Sequence, residues 1–208
     1  MADYQRARSP QQKAERMSAI MDATETLFAQ LPYHEINMGL IAKELGWSRS
    51  NLYKYAATQE EIFLALHSRA NRALVDDLMA SLAGKKLTNA EFAHEWACAV
   101  ARHPEFLRYQ SILIPIIETN TSLDRLVEFK KNFALMNESI RTLLRKHLSC
   151  SANEASDLSL CLIYQAAALF NHFNCAEQVA EAMRLAGLPP IEDAYTSFVE
   201  MCLDRLSQ

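Results

Sequence analysis

Glycine occurs four times and proline six times in 208 residues. That scarcity disfavours glycine-rich phosphate loops and many-turned β architectures, and it suits long helices. The five cysteines, an odd number, form no C-x-x-C pair, which argues against a disulfide framework and a cysteine-based zinc site. Cys98 and Cys161 lie in apolar helical stretches and read as small core residues, with sensing thiols the alternative. Cys150 and Cys175 fall near predicted helix ends, where a thiol is more open to reaction. No apolar run approaches the roughly 18 residues of a membrane span, and the N-terminus lacks a signal-peptide core. A cytoplasmic protein with no membrane partner is expected.

Catalytic signatures are missing too. There is no G-x-S-x-G, H-E-x-x-H, P-loop or G-x-G-x-x-G, and no dense set of convergent acids. Glu118 and the Glu60-Glu61 pair read as helix-end residues. His94, His103 and His172 form no recognisable ligand spacing and read as capping or surface groups. No catalytic residue, metal or cofactor is therefore expected.

What is present is an apolar, helix-forming chain. Half the residues are hydrophobic, enough for a substantial core in one large domain or two small ones. The net charge of −4 is unevenly spread: residues 1–55 carry +1 and residues 56–208 carry −5. Arg6, Arg8, Lys13 and Arg16 cluster at the N-terminus, either as a basic arm that tracks phosphates or as an ordinary solvated tail. The balance permits nucleic-acid binding without demonstrating it.

Periodicity, caps and breakers divide the chain into helices. The first runs from about Gln12 to Leu31, with Met17, Ile20, Met21, Thr24, Leu27 and Phe28 on one stripe, and Pro32 ends it. Thr58 and Glu61 form a capping box that opens a long helix through Ile62, Leu66, Leu74 and Leu78 to about Leu82. Thr88 with Glu91 opens the next, through Phe92, Trp96 and Val100, halted before Pro104. Another reaches about Ile117, interrupted near Pro115. Asn120-Thr121-Ser122 supplies caps for a long helix carrying Leu126, Phe133, Ile140, Leu143 and Leu144. Ser151 with Glu154 opens a helix apolar nearly all round, from Leu158 to Phe170. A short helix covers Glu177 to Ala186 and is broken by Gly187 and Pro189-Pro190; the last spans roughly Ile191 to Leu206.

The most informative stretch lies between Asn37 and Ile62. Asn37 is placed to cap a short helix whose Ile41, Ala42 and Leu45 share one face, and Gly46 ends it. Ser48 caps a second short helix anchored inward by Leu52, leaving Arg49, Ser50, Asn51, Tyr53, Lys54 and Tyr55 outward or at the flanks. This is a helix-turn-helix pattern, whose second helix enters the DNA major groove. Arg49 is placed to reach guanine edges or phosphate, Ser50 or Asn51 to donate to bases, and Lys54 to neutralise phosphate. Trp47 is expected to pack against the recognition helix.

The same residues resemble the DNA-binding end of the tetracycline-repressor family. The resemblance rests on Ile41-Ala42, Gly46-Trp47-Ser48, Leu52-Tyr53-Lys54-Tyr55 and Gln59-Glu60-Glu61-Ile62, covering roughly the first third of the chain. Ala56 stands where the family usually has Phe, and Gln59 where it usually has Lys. The resemblance implies that the hydroxyls of Tyr53 and Tyr55 meet the DNA backbone and that Asn37 offers its backbone amide to a phosphate. It also implies a homodimer joined by two C-terminal helices from each subunit.

The expected architecture is all-α, with a helix-turn-helix domain over residues 1–57 and a ligand-binding and dimerisation bundle over 58–208. The apolar Leu158–Phe170 helix is either central in its own domain or half of a dimer interface; the resemblance favours the interface. Leu162, Leu169 and Phe170 would then meet Tyr195, Phe198 and Cys202 of the last helix, whose stripe also includes Ala194. Trp96, Tyr109, Phe133, Met136, Asn137, Tyr164, Gln165 and Phe173 are candidates to line a pocket for a small, largely apolar effector, with ordinary core packing as the plainer alternative. The function expected is a one-component regulator, a repressor, that binds double-stranded operator DNA as a homodimer and is released by that effector. The rival is a helical protein-binding adaptor or an orphan α-helical enzyme.

Overall fold

A computed structural model describes residues 10–174, 177–188 and 195–207. Arg6, Arg8, Cys175, Pro189-Pro190 and the segment 191–194 lie outside these residues. The described residues form ten α-helices and short 3₁₀ and π turns, with no strand among them. None of these helices is long and apolar enough to cross a membrane.

The head is built from α1 (Pro10–Gln30), α2 (Met38–Glu44) and α3 (Arg49–Leu52). Asn37 caps α2 as its residue type predicts: Oδ1 accepts from the amides of Gly39 and Leu40, both at 3.0 Å. Gly46 takes φ +66°, the left-handed conformation that lets the chain turn sharply out of α2. Ser48 Oγ accepts from the Asn51 amide at 3.3 Å and starts α3. Ile20, Ile41 and Leu52 are fully buried and tie the three helices together. Ala56, where a larger ring was expected by resemblance, is itself buried, and a small cleft opens beside it.

The body begins with α4 (Gln59–Leu82) and continues through α5 (Asn89–Ala101), α6 (Pro104–Ile112), α7 (Leu123–Leu148), α8 (Ala152–Phe173), α9 (Glu177–Leu185) and α10 (Tyr195–Leu206). Helix α4 is the axis. Its Leu66, Leu74 and Leu78 are wholly buried, and it packs against α1, α5, α6 and α7. Both later capping boxes form as expected, Thr88 with Glu91 and Ser151 with Glu154. The first is half a box. Thr58 Oγ1 accepts from the Glu61 amide, but the Glu61 carboxylate accepts from Ala57 N at 2.9 Å and not from the Thr58 amide. Ser122 precedes α7 without a side-chain cap, and the neighbouring Asn120 and Thr121 side chains bond back to Ile116 O and Ile117 O instead of capping it.

Pro115 interrupts the helix after Ile112 as anticipated. The chain widens into a π turn over Leu113–Ile117 and a 3₁₀ turn over Glu118–Asn120 before α7 starts. Cys161 is exposed and Cys98 only half-buried, so neither is the enclosed core residue expected from its apolar surroundings. Helix α8 is not buried all round: Ala155, Leu158, Leu162, Ala166 and Ala167 face inward, whereas Leu160 and Tyr164 are each 42% exposed.

Candidate nucleic-acid interface

The outward surface of the head is polar by construction. Capping by Ser48 and anchoring by Leu52 fix the roll of α3, and that roll leaves Arg49, Ser50, Tyr53 and Lys54 exposed. Asn37 is also exposed, at the start of α2. A surface concavity of about 380 Å³ joins the two helix starts, lined by Asn37, Gly39, Arg49 and Tyr53 together with Thr58 and Gln59. The guanidinium of Arg49 lies across Gly39, where even a Cβ would overlap it. Glycine here opens the lane in which Arg49 rests.

Two expected members of this face sit differently. Asn51 is only 5% exposed and engaged within the protein, because in a four-residue helix it shares the inward side with Leu52. It is therefore withdrawn from base contact. Tyr55 is half-buried, its ring 5.9 Å from that of Trp47, which in turn carries Arg16 over its face at 5.2 Å. Trp47, expected against the recognition helix, packs between Tyr55, just after that helix, and Arg16 of α1. Tyr33 supports the loop from the other side, donating to Glu60 at 2.8 Å; burial and that carboxylate hold its phenol up at about 12.

The candidate effector residues do not converge on one chamber among the described residues. Trp96 is fully buried, and its Nε1 donates to Tyr195 Oη at 2.9 Å. Tyr195 then donates to Leu162 O at 3.0 Å, so these residues staple α5, α10 and α8 within one protomer. Burial raises the Tyr195 phenol well above its ordinary value. This corrects two further expectations: Leu162 and Tyr195 are interior residues of one chain, not surface available to a second. Tyr109 borders a cleft of about 530 Å³ between α1, α4 and α6, and donates to Glu25 at 2.8 Å. Burial, reinforced by Glu25, raises its phenol too.

Phe133 leans on the core near His67, and Asn137 bonds back to Phe133 O at 2.8 Å within its own helix. Met136 borders a groove of about 310 Å³ between α4 and α7. Tyr164 and Phe173 are on the surface, and Gln165, on the same helix, is half-buried. The eight are expected together as bulky and polar side chains of a bundle core, but residue type and spacing cannot say which helix faces meet.

The sequence reading passed over three polar residues inside the body. His67, Asn71 and Gln110 are each at most 4% exposed. His67 Nε2 lies 2.8 Å from Gln110 Oε1, and because a carbonyl oxygen only accepts, Nε2 carries the proton. Burial holds the ring neutral, with its pKa lowered to about 4 against a smaller opposing effect from Gln110. His67 Nδ1 and Asn71 Nδ2 have no hydrogen-bond partner among the described residues. The signal was available: a His and an Asn four residues apart on the apolar stripe of a long helix.

The comparisons with known proteins agree with this geometry. Residues 20–66 match a family model described as bacterial regulatory proteins of the tetR family, and residues 68–204 match one described as the tetracyclin repressor-like C-terminal domain. An uncharacterized HTH-type transcriptional regulator of Mycobacterium tuberculosis is 37% identical over 81 residues, a stretch that spans 39% of this chain and 39% of that relative. Among solved structures, the TetR family transcriptional regulator PfmR of Thermus thermophilus superposes with a TM-score of 0.56 at 15% identity, over 90% of this chain and 96% of that one. AmtR of Mycobacterium smegmatis gives a TM-score of 0.52 at 21% identity, over 98% and 90%. At those identities the structures speak for the fold alone. The match of the C-terminal model across residues 68–204, together with the helix-turn-helix match before it, makes the chain a member of the tetracycline-repressor family of transcriptional regulators.

Proposed function

We propose that this regulator binds a pseudo-palindromic operator as a homodimer, acts as a repressor, and is released by a small, largely apolar molecule held in its body. The observation that carries the DNA half is the exposed set of Arg49 and Ser50 on α3 with Tyr53 and Lys54 directly after it, beside the exposed cap Asn37. Tyr55 completes the set at its flank. Residues 1–57 act as the reading head and 58–208 as the sensing and dimerising body. Two-fold symmetry would place the recognition helices about 34–36 Å apart or a multiple of that, matching successive major grooves on one face of DNA.

The dimer surface we favour is the outer side of α8 and α10. Leu160 and Tyr164 on α8 and Met201 on α10, 45% exposed, are large apolar side chains left uncovered within one chain. Phe198, Cys202, Leu169 and Phe170 flank them, each only partly covered. Such a stripe gains most by meeting its own copy across a two-fold axis.

Three measurements test the proposal together. Lys54→Ala should weaken binding to every DNA sequence and reduce the salt slope by about one, whereas Arg49→Ala should change base preference at particular positions. Leu160→Asp should give a folded monomer with weak operator binding, while Leu162→Asp, in the interior, should unfold the body. If both head variants retain wild-type affinity and salt dependence while folded, α3 is not the reading helix. Wild-type protein that sediments as a monomer at micromolar concentration removes the dimer.

A further inference from the structure

We infer that the seam between α4 and α7 binds a small aryl alcohol, its hydroxyl bridging His67 Nδ1 and Asn71 Nδ2. The inference rests on the effector-release reading above and names the chemistry of that effector. His67 and Asn71 lie one helical turn apart on α4, so their side chains are neighbours, and both are almost fully enclosed. An enclosed polar atom without a partner is costly, and native proteins rarely tolerate two side by side without something to satisfy them.

The donor and acceptor pattern selects the group. The protein-bound proton on Nε2 leaves Nδ1 as a lone pair, which accepts; Asn71 Nδ2 donates. A hydroxyl answers both through one oxygen. An ether or ketone accepts only, and would leave Nδ1 unmet. An ammonium donates only. An ionised carboxylate would set its own lone pairs against that of Nδ1.

The surroundings select the body of the ligand. The rings of Phe106, Phe129 and Phe133 stand 5.2, 5.5 and 6.0 Å from that of His67, and an aromatic ligand packs well among their edges and faces. Phe129 also forms part of the wall of a cleft of about 230 Å³ that opens beside Leu64, Ser68 and Asn132. Phe129 is thus shared between the wall of that cleft and the ring cluster around His67. Tyr55 and Ala56 of the head line the same cleft, so a molecule seated there touches both head and body.

The test is isothermal titration calorimetry of the wild-type protein with three probes of nearly equal size: para-propylphenol, para-propylanisole and propylbenzene. The phenol should bind at least about tenfold more tightly than either of the others. Asn71→Leu should shrink that ratio to less than about threefold while leaving the binding of propylbenzene within the same margin. Equal binding of the three probes, or no heat from any of them at about 1 mM, overturns the inference and leaves water as the group the pair was built for. Operator affinity, followed by fluorescence anisotropy with each probe, separates the two layers. Phenol-selective binding that leaves operator affinity untouched supports the site and removes its effector role. Release of operator by all three probes alike supports effector release and overturns the hydroxyl selection.

Discussion

Acidification should destabilise this protein through His67 above all, and the size of the loss can be worked from its burial. His67 is 1% exposed, and burial lowers its pKa from 6.5 to about 4. In the unfolded chain the imidazole takes up a proton near 6.5; in the folded protein it resists until about 4. Between those values the unfolded state holds more protons, so stability rises with pH across that window and is lost as pH falls through it. The contribution is fully present above about pH 6.5. At about 1.36 kcal/mol per unit, a shift of this size removes about 3 kcal/mol by pH 4, a large part of a typical domain's margin.

The assay is urea denaturation between pH 7.5 and 4 at fixed salt and fixed protein concentration, comparing wild type with His67→Leu. The substitution leaves Gln110 without its partner, which lowers stability at every pH, but it removes the proton-linked slope. The two stability curves should converge toward pH 4. His147, whose pKa burial also lowers, gives a slope of the same sign in both proteins and cancels in the difference. Asp77, lowered to about 2 first by its hydrogen bond to Arg102, titrates below the window. Parallel curves across the whole range would refute the enclosed, neutral His67.

Other expectations follow from single contacts. Gly39→Ala should leave thermal stability within about 0.5 kcal/mol, since only the flexible end of Arg49 must move, yet change operator affinity or base preference by displacing that guanidinium; titration against a randomised operator library reads this out. Asn51→Ala should cost about 1–2 kcal/mol in chemical denaturation and leave base preference unaltered, because its side chain is enclosed. Trp96→Phe keeps the ring but deletes the donor to Tyr195, and should cost about 1–2 kcal/mol while raising the exchange rate of backbone amides in α10.

Helix ends were legible because the chemistry that stops a helix is local. Asn37, Ser48, Thr88 and Ser151 each meet an amide two or three residues ahead, and no distant residue can alter that reach. Where a rival partner lay equally near, the reading failed. Glu61 had the Ala57 amide within range and took it in place of Thr58. Which face of an apolar helix is covered was not legible, since it depends on neighbours distant in sequence. Leu162 was assigned to a dimer surface and lies inside, whereas Leu160, two residues earlier, is the one left uncovered. Asn51 failed for a related reason: four residues make barely one turn, too few for periodicity to separate inward from outward.

The contacts that join head and body divide into two kinds, and they differ in how much force they can transmit. Arg69 holds Asp22 at 2.6 Å and Glu25 at 3.0 Å, but these groups are open to water, where ion pairs contribute little. The rings of Phe28, Phe63 and Tyr109 form the enclosed connection, with Phe28 edge-on to Phe63 at 5.1 Å and stacked on Tyr109 at 5.7 Å. Arg108 closes it, its guanidinium 4.3 Å above the Phe28 ring and bonded to the Phe28 carbonyl. A displacement of α6 thus reaches α1 through rings in direct contact, beside the cleft that Phe28, Arg108 and Tyr109 border. On the opposite side Arg125 of α7 approaches Glu61 at 3.6 Å, and Glu61 accepts from the Ala57 amide just beyond the recognition helix. Opening the α4–α7 seam would act first at this second point. A molecule in the seam therefore has a short route to the reading head that does not pass along the whole of α4, and the packed route through Phe28 keeps the rest of the head in register with the body while it acts.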